Sequence, residues 1–198
     1  LQTTLEKAMP NTTVAYLGGS LGSSGPRAPD GTNDIDRAQA MGKALAKLFE
    51  DNVKPDGLNW LTDVDIATVG IPLALPPFQM RMAQRLRASP LLPKLLGIPH
   101  EAWMQAVRVG DLFIVGVPGD LSGEISVSWT KWANDKGYDL WATSFCAAYV
   151  GYISPDKYYN EPKSTTVDET GFMSWTGPHQ EAFFTALMKH MTEALQGK

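Results

Sequence analysis

The pattern of apolar and polar positions predicts alternating strands and helices. Thr12 to Leu17 (TTVAYL) is a short β-branched and aromatic run, the signature of a buried strand. A loop rich in Gly, Ser and Pro follows. From 34 to 51 apolar residues recur at three and four (Ala38, Met41, Gly42, Leu45, Leu48, Phe49), which predicts an amphipathic helix with Asn33 as its N-cap and Asp34 and Asp36 in its first turn. Asp65 to Leu75 predicts a strand ended by Pro76-Pro77, and 78–88 a helix. The next stretch is apolar but broken by Pro90, Pro93 and Pro99, so it predicts an irregular connection or short helical turns.

Ala102 to Val117 carries the clearest local signal: two strands around Gly110-Asp111, a tight hairpin. A helix is predicted from about Ser122 to Asp135, with Ile125, Trp129, Trp132 and Ala133 on one face. Tyr138 to Cys146 predicts another strand, and 156–177 a long polar loop of the kind that carries function. Pro178 suits the first turn of a last helix, whose stripe is Phe183, Phe184, Leu187, Met188, Met191 and Leu195. The class is therefore α/β, a mixed sheet with helices packed on it.

Composition narrows the function classes. A chain of 198 residues with 43% hydrophobic and 19% charged residues is globular. Lys+Arg 17 against Asp+Glu 21 gives a net charge of −4, so no broad basic face is expected and no nucleic-acid partner. No apolar run reaches the ~18 residues of a membrane span. The lone Cys146 excludes an internal disulfide framework and a Cys-based zinc cluster. The chain starts at Leu1 without a signal-peptide pattern and reads as processed or excised from a longer one.

Candidate chemistry is sparse. Gly18-Gly19-Ser20-Leu21-Gly22 matches G-x-S-x-G after a predicted strand, but Pro26, Pro29 and Gly31 intervene before the next helix, which a nucleophile elbow does not allow. His100, His179 and His190 have no local metal-binding spacing. His190 falls beside the apolar stripe of the last helix, where a partly buried structural histidine is expected, and His179 falls at that helix's start. Asp120 follows Pro118-Gly119 between a strand and a helix, where a carboxylate either points into a ligand crevice or caps the helix; Glu124 lies one turn on. Tyr149, Tyr152, Tyr158 and Tyr159 crowd one segment, as packing aromatics, hydrogen-bond donors or metal ligands.

Four blocks in order resemble the neutral/alkaline non-lysosomal ceramidases and their bacterial relatives. They are VAYLGGSLGSSGP with DIDRAQAMGKALAKLF, MQAVRVGDLFIVGVPGDLSGEI, AAYVGYISPDKYY and ETGFMSWTGPHQEAFFTALMKHMTEAL. The resemblance implies a zinc-dependent hydrolase that cleaves the amide of ceramide or a related N-acyl lipid. By block, the family's glutamate ligand falls on Asp120 and its tyrosine ligand on Tyr152, with Tyr149 the close alternative. Its serine falls at Gly25 when aligned on Pro26 and at Ser24 with a slip of one; Ser20 and Ser23 are less favoured. The family's asparagine before the tyrosines is Ala147 here, and the tyrosine before Glu169 is Asp168.

The family's two histidine ligands lie upstream of the serine loop, so the resemblance makes residues 1–198 a single unit, the C-terminal portion of a larger α/β hydrolytic domain, with the upstream half as partner. Asp120 and Tyr152 are then expected as zinc ligands, Ser24 as nucleophile or oxyanion donor, and His179 at the rim. An exported protein is implied, periplasmic, secreted or at the membrane surface, with peripheral membrane contact. Two other readings stay open: a non-catalytic relative that binds a lipid or partner through the aromatic loop, and a serine esterase with Ser20 as nucleophile and His190 as base.

Overall fold

The hairpin at the centre of the fold joins β4 (Glu101–Val109) to β5 (Leu112–Gly116), turning through Gly110 at φ 58°. That left-handed backbone favours glycine, so the turn chemistry matches the sequence. β1 (Ile66–Ala74) pairs antiparallel along the whole of β4, from Ile66↔Val109 to Ala74↔Glu101. β7 (Asp139–Thr143) adds parallel to β5, giving a mixed sheet of order β1-β4-β5-β7. The structure, a computed structural model, describes residues 1–25, 27, 29–54, 61–83, 86–98, 101–160 and 170–196.

One face of the sheet alternates inward. Ala102, Met104, Ala106, Phe113, Val115 and Leu140 are buried against α4 (Gly123–Asp135) and α5 (Gln180–Gln196). The helices contribute Ile125, Trp129 and Ala133 from α4 and Phe184, Met188, Met191 and Leu195 from α5, the i, i+4 stripes their sequences predict. Trp129 keeps its indole N–H satisfied at Thr185 Oγ1 (2.8 Å). Of the expected stripe on the last helix, Phe183 is instead exposed.

The described chain falls into two compact units, Leu1–Leu17 with Gly25–Asp63 and Gly18–Ser24 with Val64–Lys198. The first holds α1 (Gln2–Ala8) and α2 (Asp34–Asn52). Asn33 caps α2 as expected, its side chain accepting from Asp36 N–H at 2.9 Å. The second holds everything else.

Two predicted elements differ. Thr12–Leu17 forms no strand, and Tyr16 and Leu17 are exposed. A β-branched run becomes a strand only where a partner completes its ladder, and among the described residues none does. The described residues of 78–88 form no helix. Arg81–Ala83 (β2) and Leu86–Arg87 (β3) pair antiparallel instead. The backbone donors of Gln79 and Arg81 go to Trp175 O and Gly171 O, so long-range bonds replace the helical ones. The Pro-broken stretch after it contains one short helix, α3 (Leu92–Leu96).

Candidate functional site

The Pro118-Gly119 turn ends the central hairpin and releases a two-residue strand, β6 (Asp120–Leu121). β6 pairs parallel with β8 (Tyr152–Ile153) in the register Asp120↔Tyr152 and Leu121↔Ile153. The ladder is closed by Asp120 N–H to Gly151 O and Ser122 N–H to Ile153 O, both 3.0 Å. Facing residues of a ladder project to the same side, so the carboxylate and the phenol stand together. Asp120 is only 6% exposed.

Its electrostatics reflect that position. Burial pushes the Asp120 carboxyl above the usual carboxylate range, and a hydrogen bond with the Tyr152 side chain opposes the rise. Oδ1 of Asp120 is buried with no hydrogen-bond partner. Tyr149 is close enough to sense the same charge: burial, then Asp120, hold its phenol protonated above the ordinary range. Tyr149 stacks on Phe145 (centroids 5.5 Å, 20°) and meets Trp175 edge to face (5.1 Å, 83°). Phe145 and Ala147 take positive φ, 60° and 65°, in the loop that carries these aromatics.

The serine loop reaches the same strand. Gly22 N–H donates to Leu121 O at 3.0 Å, and a Cβ on Gly22 would lie 2.6 Å from Asp120 O, so only glycine fits this approach. Gly18 O accepts from Ser144 N–H (3.1 Å) and from Thr143 Oγ1 (2.7 Å), and Ser144 Oγ in turn accepts from Leu121 N–H at 3.2 Å. Ser24 is exposed, with its Oγ 3.5 Å from Ser20 O and facing the start of α4 at Gly123.

The helix-cap role for Asp120 is excluded by this geometry. α4 starts at Gly123 with Ser122 at the cap position, and Ser122 makes no side-chain cap bond. Ser23 supplies it from the loop: its Oγ accepts Gly123 N–H at 2.8 Å. Sequence reasoning ranked Ser23 low and missed Ser144, because neither bond is local in the chain. Glu124 is engaged elsewhere, accepting from Lys157 Nζ and Tyr158 OH, which hold its carboxyl below the usual range.

The histidines do not join this cluster. His190 is exposed on α5 rather than partly buried, in a groove with Ser128, Asp156, Glu181 and Glu193, and among the described residues no hydrogen bond joins it to Ser20. His179 is exposed at φ 74° just before α5. His100, Pro26, Asp168 and Glu169 lie outside the described residues.

Zinc can be tested against the donors present. A buried carboxylate oxygen without a partner, beside a phenol, suits a cation, because hard oxygen donors of this kind bind one and an orphaned oxygen is costly otherwise. Among the described residues no group of three His, Cys, Asp or Glu side chains converges, so Asp120 and its tyrosine neighbours fit part of a metal site. No helix among the described residues is long and apolar enough to cross a membrane.

The fold is therefore a mixed α/β one, with the candidate site where strand ends meet the loop after the central hairpin, as α/β sheets place ligand crevices. It is the fold of neutral ceramidases. The chain is similar to the neutral ceramidase from Pseudomonas aeruginosa at a TM-score of 0.61 and 14% identity, over 96% of this chain and 38% of that one. It is similar to a ceramidase complexed with C2 at a TM-score of 0.63 and 14% identity, over 99% and 41%. The chain spans about two-fifths of the length of these structures. No protein-family model matches the sequence, and no curated protein matches it by sequence.

Proposed function

We propose that the chain is part of a zinc-dependent hydrolase that cleaves the amide of ceramide or a related N-acyl lipid. Asp120 carries the reading. It is a buried carboxylate with one unpartnered oxygen, held beside Tyr152 and Tyr149 at a strand end, under a serine loop. It caps no helix, and its hydrogen bond with the Tyr152 side chain leaves Oδ1 buried without a partner.

In this reading Asp120 and Tyr152 are ligands for the metal, with the remaining ligands supplied outside the described residues. A bound zinc would polarise the amide carbonyl and acidify a bound water. The chain's own residues do the rest. Tyr149, protonated well into the alkaline range, offers a phenol hydrogen bond to the oxygen on which charge develops. Ser24, exposed beside the start of α4, is the hydroxyl presented as nucleophile or oxyanion donor. Phe145, stacked on Tyr149, and Trp175, edge to face with it, hold that ring in place.

The test is zinc content by atomic absorption together with turnover of a fluorogenic N-acyl lipid, on the polypeptide as encoded and on Asp120→Ala. The reading expects zinc-dependent turnover, lost with the metal in the variant. Equal zinc in both proteins overturns the ligand role. The serine-esterase reading has no support in the position of His190, which is exposed away from any bond to Ser20.

A further inference from the structure

Phe145 is held in a conformation that a bulky side chain rarely takes. Its φ is 60°, in the left-handed region, and it is 49% exposed, so its ring adds little to the core. Strained residues of this kind persist where the surroundings over-determine them, and they cluster at ligand sites. Three successive backbone donors do so here. Ser144 N–H reaches Gly18 O in the serine loop (3.1 Å), Phe145 N–H reaches Gly119 O beside Asp120 (3.1 Å), and Cys146 N–H reaches Val117 O (2.9 Å). The loop is thus clamped between the two segments that carry the candidate chemistry. All three are backbone bonds, which glycine at 145 would make without strain, so they do not explain why a phenyl stands there.

What the ring adds is a surface. Trp175 meets Tyr149 edge to face, and Phe145 lies on Tyr149 nearly parallel, with centroids 5.5 Å apart and planes 20° apart. Tyr149 is its ring partner among the described residues, and half of Phe145 stays open beyond that contact. The aromatic stack therefore ends in an uncovered ring. Its inner end is at the candidate site, since Tyr149 is close enough to Asp120 to sense its charge. A group laid on the open ring sits at the edge of the Asp120 cluster, a few bonds from an amide held within it.

We propose that Phe145 determines specificity for the acyl group of the substrate: its open ring is a stacking platform for a flat, aromatic or conjugated acyl group next to the scissile amide. The inference deepens the amide-hydrolase reading above and rests on it for the position of the amide. Near-parallel, offset aromatic pairs gain beyond the apolar area that they bury, whereas a saturated group gains from area alone. The preference is a property of Phe145 itself, so it separates from the chemistry at Asp120.

A pair of amides with equal carbon counts tests the platform: N-butylcinnamamide, whose acyl group is flat, and N-butyl-cyclohexylpropanamide, whose ring is puckered and saturated. Released butylamine, read with an amine-reactive dye, gives kcat and KM, and isothermal titration of Asp120→Asn gives affinity without turnover. The parent should favour the flat amide about twofold to tenfold, in KM and in affinity rather than in kcat. Phe145→Gly and Phe145→Ala should both bring that ratio near one, and Phe145→Tyr should keep it. The glycine variant should melt higher than the alanine variant, because glycine takes φ 60° without strain. Equal loss of preference at unequal stability is what a platform gives and a packing role does not. Flat-amide binding that depends on Phe145, without turnover, upholds the platform and overturns the hydrolase reading. The platform is overturned by a ratio near one in the parent, by a ratio unmoved in the glycine and alanine variants, or by rates for both amides that fall together with melting temperature. Absence of binding by either amide overturns it as well.

Discussion

Asp120 and Tyr152 face each other in a two-residue parallel ladder between segments distant in sequence. The ladder fixes the carboxylate and the phenol on one side by backbone bonds alone, at Gly151 O and Ile153 O. Neither side chain has to find the other, so the pair is preorganised before any ligand arrives. The energetic consequence is a buried acid whose pKa is raised.

That acid makes stability depend on pH. Because the folded pKa of Asp120 lies above its unfolded value, the folded state binds more protons in the window between the two. Stability contributed at Asp120 is therefore lost as pH rises through that window. Asp120→Asn should be more stable than the parent at about pH 8, with the difference closing as pH falls below the ordinary carboxylate range. Urea unfolding at both pH values measures it; a pH-independent difference would contradict the buried-acid account.

Gly22 sets the distance between the serine loop and Asp120. Gly22→Ala places a Cβ at 2.6 Å from Asp120 O and must push the loop away. If the proposed reaction holds, turnover should fall about a hundredfold while the core stays folded. Near-UV circular dichroism and a lipid-amide assay read the two effects separately.

Ser23 and Ser24 should part company. Ser23→Ala removes the acceptor of Gly123 N–H and should cost about 1 kcal/mol of stability, as the loss of a helix cap does. Ser24→Ala should cost less than about 0.5 kcal/mol, and its effect should appear in turnover. Thermal melts of both variants decide between these roles.

Ala147 occupies a left-handed backbone position at φ 65°, exposed, where asparagine is tolerated far better than alanine. Ala147→Asn should raise stability by about 1 kcal/mol. An unchanged or lower melting temperature would mean that the loop gains nothing from relief of this strain.

Tyr159 should be the last phenol to ionise. Burial pushes it up to about 12, while its hydroxyl bonds to Ser174 Oγ (2.5 Å) and Gln180 Oε1 (3.0 Å). Spectrophotometric titration should leave one tyrosine protonated until the most alkaline range, and Tyr159→Phe should remove that step. The variant should also lose about 1–3 kcal/mol, because buried partners are left unsatisfied.

The sequence by itself determined the elements whose reasons are local. Gly110 marks the hairpin, Asn33 caps α2, and the stripes from Ile125 and Phe184 onward place α4 and α5 on one sheet face. Such features depend on residues two to four positions apart, which a pattern displays directly. Asp120 was legible for the same reason, as an acid between a Pro-Gly turn and a helix. Only tertiary structure decided what lies beside it. The Tyr152 register, the Ser23 cap on Gly123 and the Gly22 approach are bonds between segments far apart in the chain. Tertiary structure also placed two short paired strands where 78–88 carries a helical pattern, and left 12–17 without a ladder: the backbone donors of Gln79 and Arg81 answer to Trp175 O and Gly171 O, and those of Thr12 and Val14 to Met9 O and the Glu6 carboxylate rather than to a partner strand.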